Sequence, residues 1–218
     1  METKNGRARQ FSSISDLDFA AVLVSRLCHD LVSPVGAVVN GLEVLDEERD
    51  AAMRADALKL ITSSAELAAA RLQFARIAYG AAGSAGAELD LNEVGRMFCG
   101  LLKGGKTEIT WEAAAVNWPK DWAKLLMNCA LVGADCLPRG GRVRIATARD
   151  TSSPGFLVRA AGQGARLHEE AEKALHGEPL GPLDGRSIQP YLTYKLAQLL
   201  NAQVVLTSGE GFVEIAAH

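Results

Sequence analysis

The stretch Arg26-Leu27-Cys28-His29-Asp30-Leu31-Val32-Ser33-Pro34 lies inside an apolar run with a helical repeat. Leu17, Ala20, Val24, Leu27, Leu31, Val35, Val38, Leu42 and Leu45 follow one another at steps of three or four. At about 100° per residue they fall in one stripe less than a quarter of a turn wide. His29 is two residues from both Leu27 and Leu31, which puts it on the opposite side of the helix, facing water. Its own face reads Asp18, Val22, Ser25, His29, Ser33, Gly36, Asn40, Glu43.

A histidine in such a place is most simply a surface residue of an amphipathic helix. Three features argue for more. Asp30 accepts a hydrogen bond from one ring nitrogen and leaves the other as a nucleophile. Pro34 has no N–H, so the Asp30 carbonyl loses its helical partner and a bend is expected just past the histidine. Ser25, Ser33 and Gly36 are small and leave room for a macromolecule to reach the ring. With Arg26 and Asn40 they form the candidate docking face.

The pattern His29-Asp30-x-x-Ser33-Pro34 resembles the phosphoacceptor box of two-component histidine kinases, whose usual form is His-Glu-Leu-Arg-Thr-Pro. The longer string LCHDLVSPVGAVVNGLEVL, Leu27 to Leu45, resembles the alphaproteobacterial ChpT family of histidine phosphotransferases, and the likeness covers nearly the whole chain. It implies that His29 is the phosphoacceptor and that Asp30 orients its imidazole. It implies a donor in the receiver domain of a hybrid histidine kinase and acceptors in response regulators. Magnesium would come with the partner's receiver domain, so no cofactor is expected on this chain. Ser33 stands where related kinases place a Thr or Asn that positions water for dephosphorylation.

Composition sets the bounds. The chain has 218 residues, is 48% hydrophobic and 22% charged, and carries a formal net charge of −3. These are the proportions of an ordinary globular protein with a core. With a pI near 5.8 and no basic patch, it is not expected to bind nucleic acid. Cys28, Cys99, Cys129 and Cys136 form no CxxC pair and read as reduced core residues or bystanders. Cys28 and His29 are adjacent on a helix and do not converge on one ion, so no metal site is expected. The polar, basic start METKNGRARQ is not a signal peptide. No run reads as long enough to span a membrane, and a soluble cytoplasmic protein is expected.

The chain divides at its small-residue and turn segments. Residues 1–14 read as a flexible N-terminus. Residues 15–80 read as a helical hairpin. Ser15 caps a first helix from about Asp16 to Asp46, and Asp46 to Asp50 is a polar turn. A second helix runs from Ala51 to Tyr79. In it Met53, Leu60, Leu67 and Phe74 repeat at seven, with Ala57, Ile61, Ala68, Ala75 and Ala78 beside them. Two such helices leave part of each stripe wet. The remaining sequence holds no second long pair, so a homodimeric four-helix bundle is expected, as the resemblance also implies. GAAGSAGAE supplies a linker over 81–88. Residues 89–218 read as an α+β two-layer domain. Its helices are expected from Asp90 or Asn92 to Leu102, Pro119 to Leu137, Leu167 to His176 and Ile188 to Leu200. Its strands are expected at Thr107–Trp111, Arg142–Arg149 and Phe156–Ala160. Turns fall at Gly104-Gly105, Pro138 to Gly141, Ser152 to Gly155 and Gly162 to Gly164, and a loop holds Pro179, Gly181 and Pro182. A final hairpin from Gln203 to His218 turns at Gly209-Glu210-Gly211.

That second domain resembles the ATP-binding domain of histidine kinases, best over LLMNCALVGADCLPRGGRVRI, Leu125 to Ile145. Kinases place a second asparagine of their box where this chain has Val132 and a lysine-like residue where it has Asp135. Their adenine-binding carboxylate is Ala160 here, in AAGQG, and their glycine-rich lid is replaced by SIQPYLTYKLA. Asn128 alone matches. The expected domain is an ATPase-like scaffold without its nucleotide site. Fold alone does not carry function. His168, in RLHEEAEK, reads as part of a solvated helix face. His176 sits near a helix end, where a cation suits the dipole, and His218 is terminal. Trp111, Trp118 and Trp122 read as one core cluster. The function expected is a histidine phosphotransferase. A divergent autophosphorylating kinase and a non-enzymatic dimeric scaffold are the alternatives.

Overall fold

In the computed structural model, residues 14–80, 86–147, 154–178 and 181–218 are described. Most of the expected N-terminal segment and linker, the strand end at Arg149, the turn at Ser152 and the loop residue Pro179 lie outside them.

Helix α1 spans Asp16–Glu47 and α2 spans Ala51–Ala78. Ser15 caps α1, its Oγ accepting from the Asp18 N–H at 3.1 Å. Asp50 caps α2, its carboxylate accepting from the N–H groups of Ala52 and Met53 at 3.0 Å each. A side-chain acceptor at each start satisfies N–H groups that have no helical partner. With so short a turn between them the helices fold back as an antiparallel hairpin. They meet through small residues. Pro34 and Gly41 are the buried residues of α1, and Ala57, Ser64, Ala75 and Ala78 are among those of α2. A Cβ on Gly41 would stand 2.6 Å from the Ile61 side chain.

Part of the stripe from Leu17 to Leu45 was expected to stay wet in a lone hairpin, and it does: Leu27, Leu31, Val38 and Leu45 are half-buried, whereas Leu17, Val24, Val35 and Leu42 stay exposed. The chain's own core takes the line beside it, through Leu23, Leu27, Asp30, Pro34 and Gly41. The reason is steric: proline and glycine let α2 approach closely, and the bulky residues are left beside the contact. Moreover, α1 is long and apolar enough, by length and composition, to cross a membrane, contrary to the sequence expectation that no run is. It nonetheless carries Arg26, His29 and Asp30 mid-helix, where each Arg or Asp costs about 2.5–3.5 kcal/mol in a bilayer. It also packs on α2 and on the second domain.

The second domain starts with β1 (Glu88–Asp90), α3 (Leu91–Leu101) and β2 (Thr107–Glu112), followed by β3 (Asn117–Pro119) and α4 (Lys120–Asp135). Next come β4 (Gly141–Thr147), β5 (Phe156–Ala161), α5 (Glu169–Leu175), α6 (Ile188–Leu200), β6 (Val204–Gly209) and β7 (Phe212–Ala217). The β1–β3 antiparallel pair was not expected. Three residues a side are too short to show alternation. The main sheet has the order β2-β4-β5-β7-β6, parallel only at β2–β4. One row in register crosses it: Trp111, Ile145, Val158, Ile215 and Leu206. This row belongs to the inner face, on which α4 packs and to whose core α3 and α6 contribute. The opposite face carries the ion pairs Arg142–Glu108, Arg144–Glu112 and Arg159–Glu214. Alternation along each strand thus gives one dry and one wet face, the two-layer arrangement. Gly133 seats α4 on the sheet, since a Cβ there would stand 2.9 Å from Val158 Cγ1. Gly140, at φ +81°, turns the chain into β4 against the Lys106 carbonyl. Trp118 and Trp122 form an edge-to-face pair at 6.4 Å, whereas Trp111 packs separately over Gly95.

The core continues across the domain boundary. Phe74, Ile77 and Ala78 of α2 share one cluster with Leu91, Phe98, Leu126 and Leu196. Phe19 of α1 meets Tyr191 of α6 edge-on at 6.0 Å. Two glycines of α1 test the hairpin packing. Gly36→Ala, with nothing within 4 Å of its Cβ, should gain up to about 1 kcal/mol from helix propensity. Gly41→Ala should lose that gain to the Ile61 clash and fall below Gly36→Ala by about 1–3 kcal/mol. Urea unfolding of both variants measures the difference.

Candidate functional site

His29 stands on α1 with its side chain 87% exposed. It is at the rim of a cleft of about 1130 Å³ between α1 and the second domain. The far wall of that cleft includes Asp135, Arg166, His168, Asp184 and Arg186. The Asp30 carboxylate approaches the ring from its own helix, Oδ1 lying 3.5 Å from Nδ1. This is the outer limit of a hydrogen bond, and such contacts tighten when a substrate arrives. With Nδ1–H donating to Asp30, the lone pair belongs to Nε2, and a side chain this exposed leaves it accessible, as a nucleophile must be.

The other Asp30 oxygen is taken. Arg26 Nε donates to Asp30 Oδ2 at 3.2 Å, Arg26 Nη2 lies 3.5 Å from Asp135 Oδ2, and Nη1 donates to the Gly185 carbonyl. Burial alone would lower the Arg26 pKa, but the charges of Asp135 and Asp30 outweigh it and hold the guanidinium above its usual value. Desolvation by the cleft wall around it pushes the Asp135 carboxyl up and Arg26 opposes it, a modest effect for a side chain that is 54% exposed. Gly185 is itself held in place. Asp184 accepts from the N–H groups of Arg186 and Ser187 at 2.9 Å and from the Ser187 hydroxyl at 2.8 Å. The Ser187 backbone bond and then its hydroxyl hold the Asp184 carboxyl below the usual range.

The expected gap behind Pro34 is filled. The helix runs on through the proline, and the Asp30 carbonyl accepts from the Arg71 guanidinium of α2. Sequence reasoning missed Arg71, yet a signal was present. Ala57, Ser64, Arg71 and Ala78 repeat at seven along the small-residue seam, and an arginine in a packed seam needs an acceptor.

The expected docking residues separate. Ser25 is exposed and lines the cleft beside His29. Ser33 and Asn40 are exposed, and Gly36 has no neighbour within 4 Å of a Cβ, so this half of the face opens to solvent. Arg26 turns inward, its side chain only 16% exposed, because three acceptors draw it there. His168 is exposed, as read, but sits at the N-cap position one residue before α5, and it lines the cleft. His176 caps the C-terminus of the same helix as expected, its Nδ1 2.8 Å from the Glu172 carbonyl.

A buried chain of polar groups lies behind the cleft. Tyr79 Oη donates to Gln189 Oε1 at 2.7 Å, and the Gln189 amide donates to Asn128 Oδ1. Asn128 Nδ2 in turn donates to the carbonyls of Lys124 at 2.7 Å and Ala78 at 3.2 Å. Burial pushes the Tyr79 phenol far above its ordinary value. Every member is partnered, as buried polar groups require.

An exposed imidazole with a carboxylate beside one nitrogen, carried by a helical hairpin next to an α+β domain, is the arrangement that a phosphotransfer protein needs. The family described as "Histidine phosphotransferase C-terminal domain" matches residues 91–211. The chain is 43% identical over 187 residues to the protein phosphotransferase ChpT of Brucella abortus (strain 2308), covering 85% of this chain and 88% of that relative. A solved structure titled as a bacterial phosphotransferase superposes with a TM-score of 0.84 at 37% identity, over 94% of this chain and 98% of the other. The chain belongs to the histidine phosphotransferase family.

Arg71→Leu keeps the apolar stem and removes the donor to the Asp30 carbonyl. It should cost about 1–3 kcal/mol, the usual penalty for an unpaired buried acceptor. In wild type the Asp30–Pro34 turn should be well ordered, and the variant should lose amide protection there first in hydrogen exchange.

Proposed function

We propose that His29 accepts a phosphoryl group from an aspartyl phosphate on the receiver domain of a hybrid histidine kinase and passes it to the aspartate of response regulators. The observation that carries this is the His29 ring itself: open to solvent, with the Asp30 carboxylate against Nδ1. Nε2 attacks phosphorus and forms an N–P bond as the P–O bond to the donor aspartate breaks. The electron pair leaves with that carboxylate. The ring becomes cationic, with its proton on Nδ1 facing Asp30, and the carboxylate stabilises the charge. Transfer to the second aspartate runs the same path in reverse. The magnesium of the transfer belongs to the partner's receiver domain. Ser25, Ser33, Gly36 and Asn40 keep the surface around the ring low enough for that domain to approach.

No ATP chemistry belongs to this reading. At the positions where a kinase resemblance would put nucleotide ligands, Val132 and Ala160 are buried apolar residues. Asp135 pairs with Arg26, and the Asn128 amide is bonded within the protein. These features support a carrier that takes its phosphate from another protein.

His29→Ala should end phosphoryl acceptance from a phosphorylated receiver domain. Its stability should stay within about 0.5 kcal/mol of wild type, because the side chain is exposed. An acid-labile phosphoryl group on this variant would mean that another residue is the acceptor.

The exposed apolar face of the hairpin supports a homodimer. Leu17, Val24, Val35 and Leu42 on α1 and Met53 and Leu60 on α2 leave large side chains in water, which monomeric proteins avoid in contiguous patches. A second hairpin packed there completes a four-helix bundle. Leu42→Asp with Leu60→Asp should give folded monomers in sedimentation, against dimers for wild type. The two side chains are 53% and 45% exposed in the single chain, so little is lost within it.

A further inference from the structure

We propose that Arg26 is a positioning residue: anchored in the second domain, it holds the Asp30 carboxylate so that the free oxygen faces the His29 ring. The proposal rests on the reading of His29 as phosphoacceptor and assigns the second domain a part in the reactivity of that histidine.

The geometry has three elements. First, Arg26 divides its guanidinium among separate acceptors: Nε to Asp30, Nη2 to Asp135 and Nη1 to the Gly185 carbonyl. A planar fork with fixed donor directions suits this, and a lysine ammonium, a single point, does not. Second, two of the three acceptors lie in the second domain, at the end of α4 and in the turn before α6. The Asp184–Ser187 hydrogen bonds hold that turn. Third, Asp30 is divided as well, with Oδ2 on Arg26 and Oδ1 3.5 Å from His29 Nδ1. Remove Arg26 and the Asp30 carboxylate is free to rotate about its own bonds toward water. It also faces Asp135 with no cation between them.

A docking role requires a free, exposed side chain. Arg26 is neither, although it lies one turn from His29 on the same helix. Acting through Asp30, it selects the tautomer with the proton on Nδ1 and the lone pair on Nε2. Partners that orient metal-bound imidazoles in this way contribute about ten- to hundredfold to activity, and an effect of the same size is expected for an imidazole nucleophile. The seat of the second domain on α1 thereby reaches the reacting ring through one side chain and one carboxylate.

The test uses the full chain and phosphoramidate, a donor too small to need a docking surface. Nε2 attacks its phosphorus, the P–N bond breaks, and the nitrogen leaves as ammonia. Arg26→Gln should slow phosphorylation of His29 by phosphoramidate by about ten- to hundredfold. Asp135→Asn, which loosens the anchor and leaves Arg26 in place, should slow it severalfold in the same direction. In both variants the ring nitrogen-15 shifts of His29 should move away from the Nδ1–H tautomer, a signature that a merely structural arginine would not alter. Wild-type rates and ring shifts in both variants would overturn the proposal, as would losses confined to transfer from a receiver domain, which would make Arg26 a docking residue. If Arg26→Gln does not fold, Asp135→Asn decides alone by the same two readings. Failure of wild-type His29 to take phosphate from any donor would instead overturn the proposed function.

Discussion

Helix α1 has one circumference and several claimants on it. An α-helix gives each residue about 100° of rotation, so every neighbour must be satisfied within a fixed angular allotment. The sector through Pro34 and Gly41 goes to α2, and Phe19, Val22 and Leu23 go to the second domain. His29 keeps an open sector, and Leu17, Val24, Val35 and Leu42 form the remaining one. The allotment works because the α2 contact is made with small residues. A bulky seam would have pushed α2 outward and turned either the reactive ring or the second domain's seat out of register. The cost is a proline inside a long helix, and Arg71 reaches across from α2 to take the carbonyl it leaves unpaired.

Much of this was legible in the sequence, and the legible parts share a physical character. Helix starts at Ser15 and Asp50 were readable because capping is decided within three or four residues. The hairpin was readable because its turn is short. The strands of the main sheet were readable through alternation, which matches its dry and wet faces. The position of His29 opposite the apolar stripe followed from periodicity alone. What escaped was set by partners far along the chain. Periodicity says that a stripe exists, and only the size of the residues on α2 decides which edge of it is used. The β1–β3 pair joins segments about thirty residues apart, and neither strand is long enough to announce itself. His168 was read as part of a helix that begins one residue later. At the site, His29 and Asp30 were readable as neighbours in sequence. Arg26 was seen on the right helix as part of a docking face, and its contacts were not, because Asp135 and Gly185 come to it only through the fold.

The second domain connects these observations. Its sheet and helices form a single core with the end of α2, so it is not a bead on a string. Two polar links reinforce that seat, the Arg26 cluster near His29 and the buried Tyr79–Gln189–Asn128 chain behind it. Buried networks of this kind add little net stability, but once fully paired they allow one arrangement and penalise others. The orientation of the domain relative to the histidine is therefore specified by matched donors and acceptors as well as by apolar contact.

The Asn128 amide has a further consequence for how this protein can change. Its carbonyl oxygen serves Gln189, and its nitrogen serves the last residue of α2 and the helix turn before it. Both amide protons are used and the group is fully buried, so as it stands it offers no donor to an outside ligand. Any variant that gained recognition of a small molecule through this position would first have to release the end of the hairpin, leaving Gln189 and the Ala78 carbonyl unpaired in the interior. Each single step along that route is penalised before the last one is rewarded. Asn128 and its partners in α2 and α6 are thus constrained to change together.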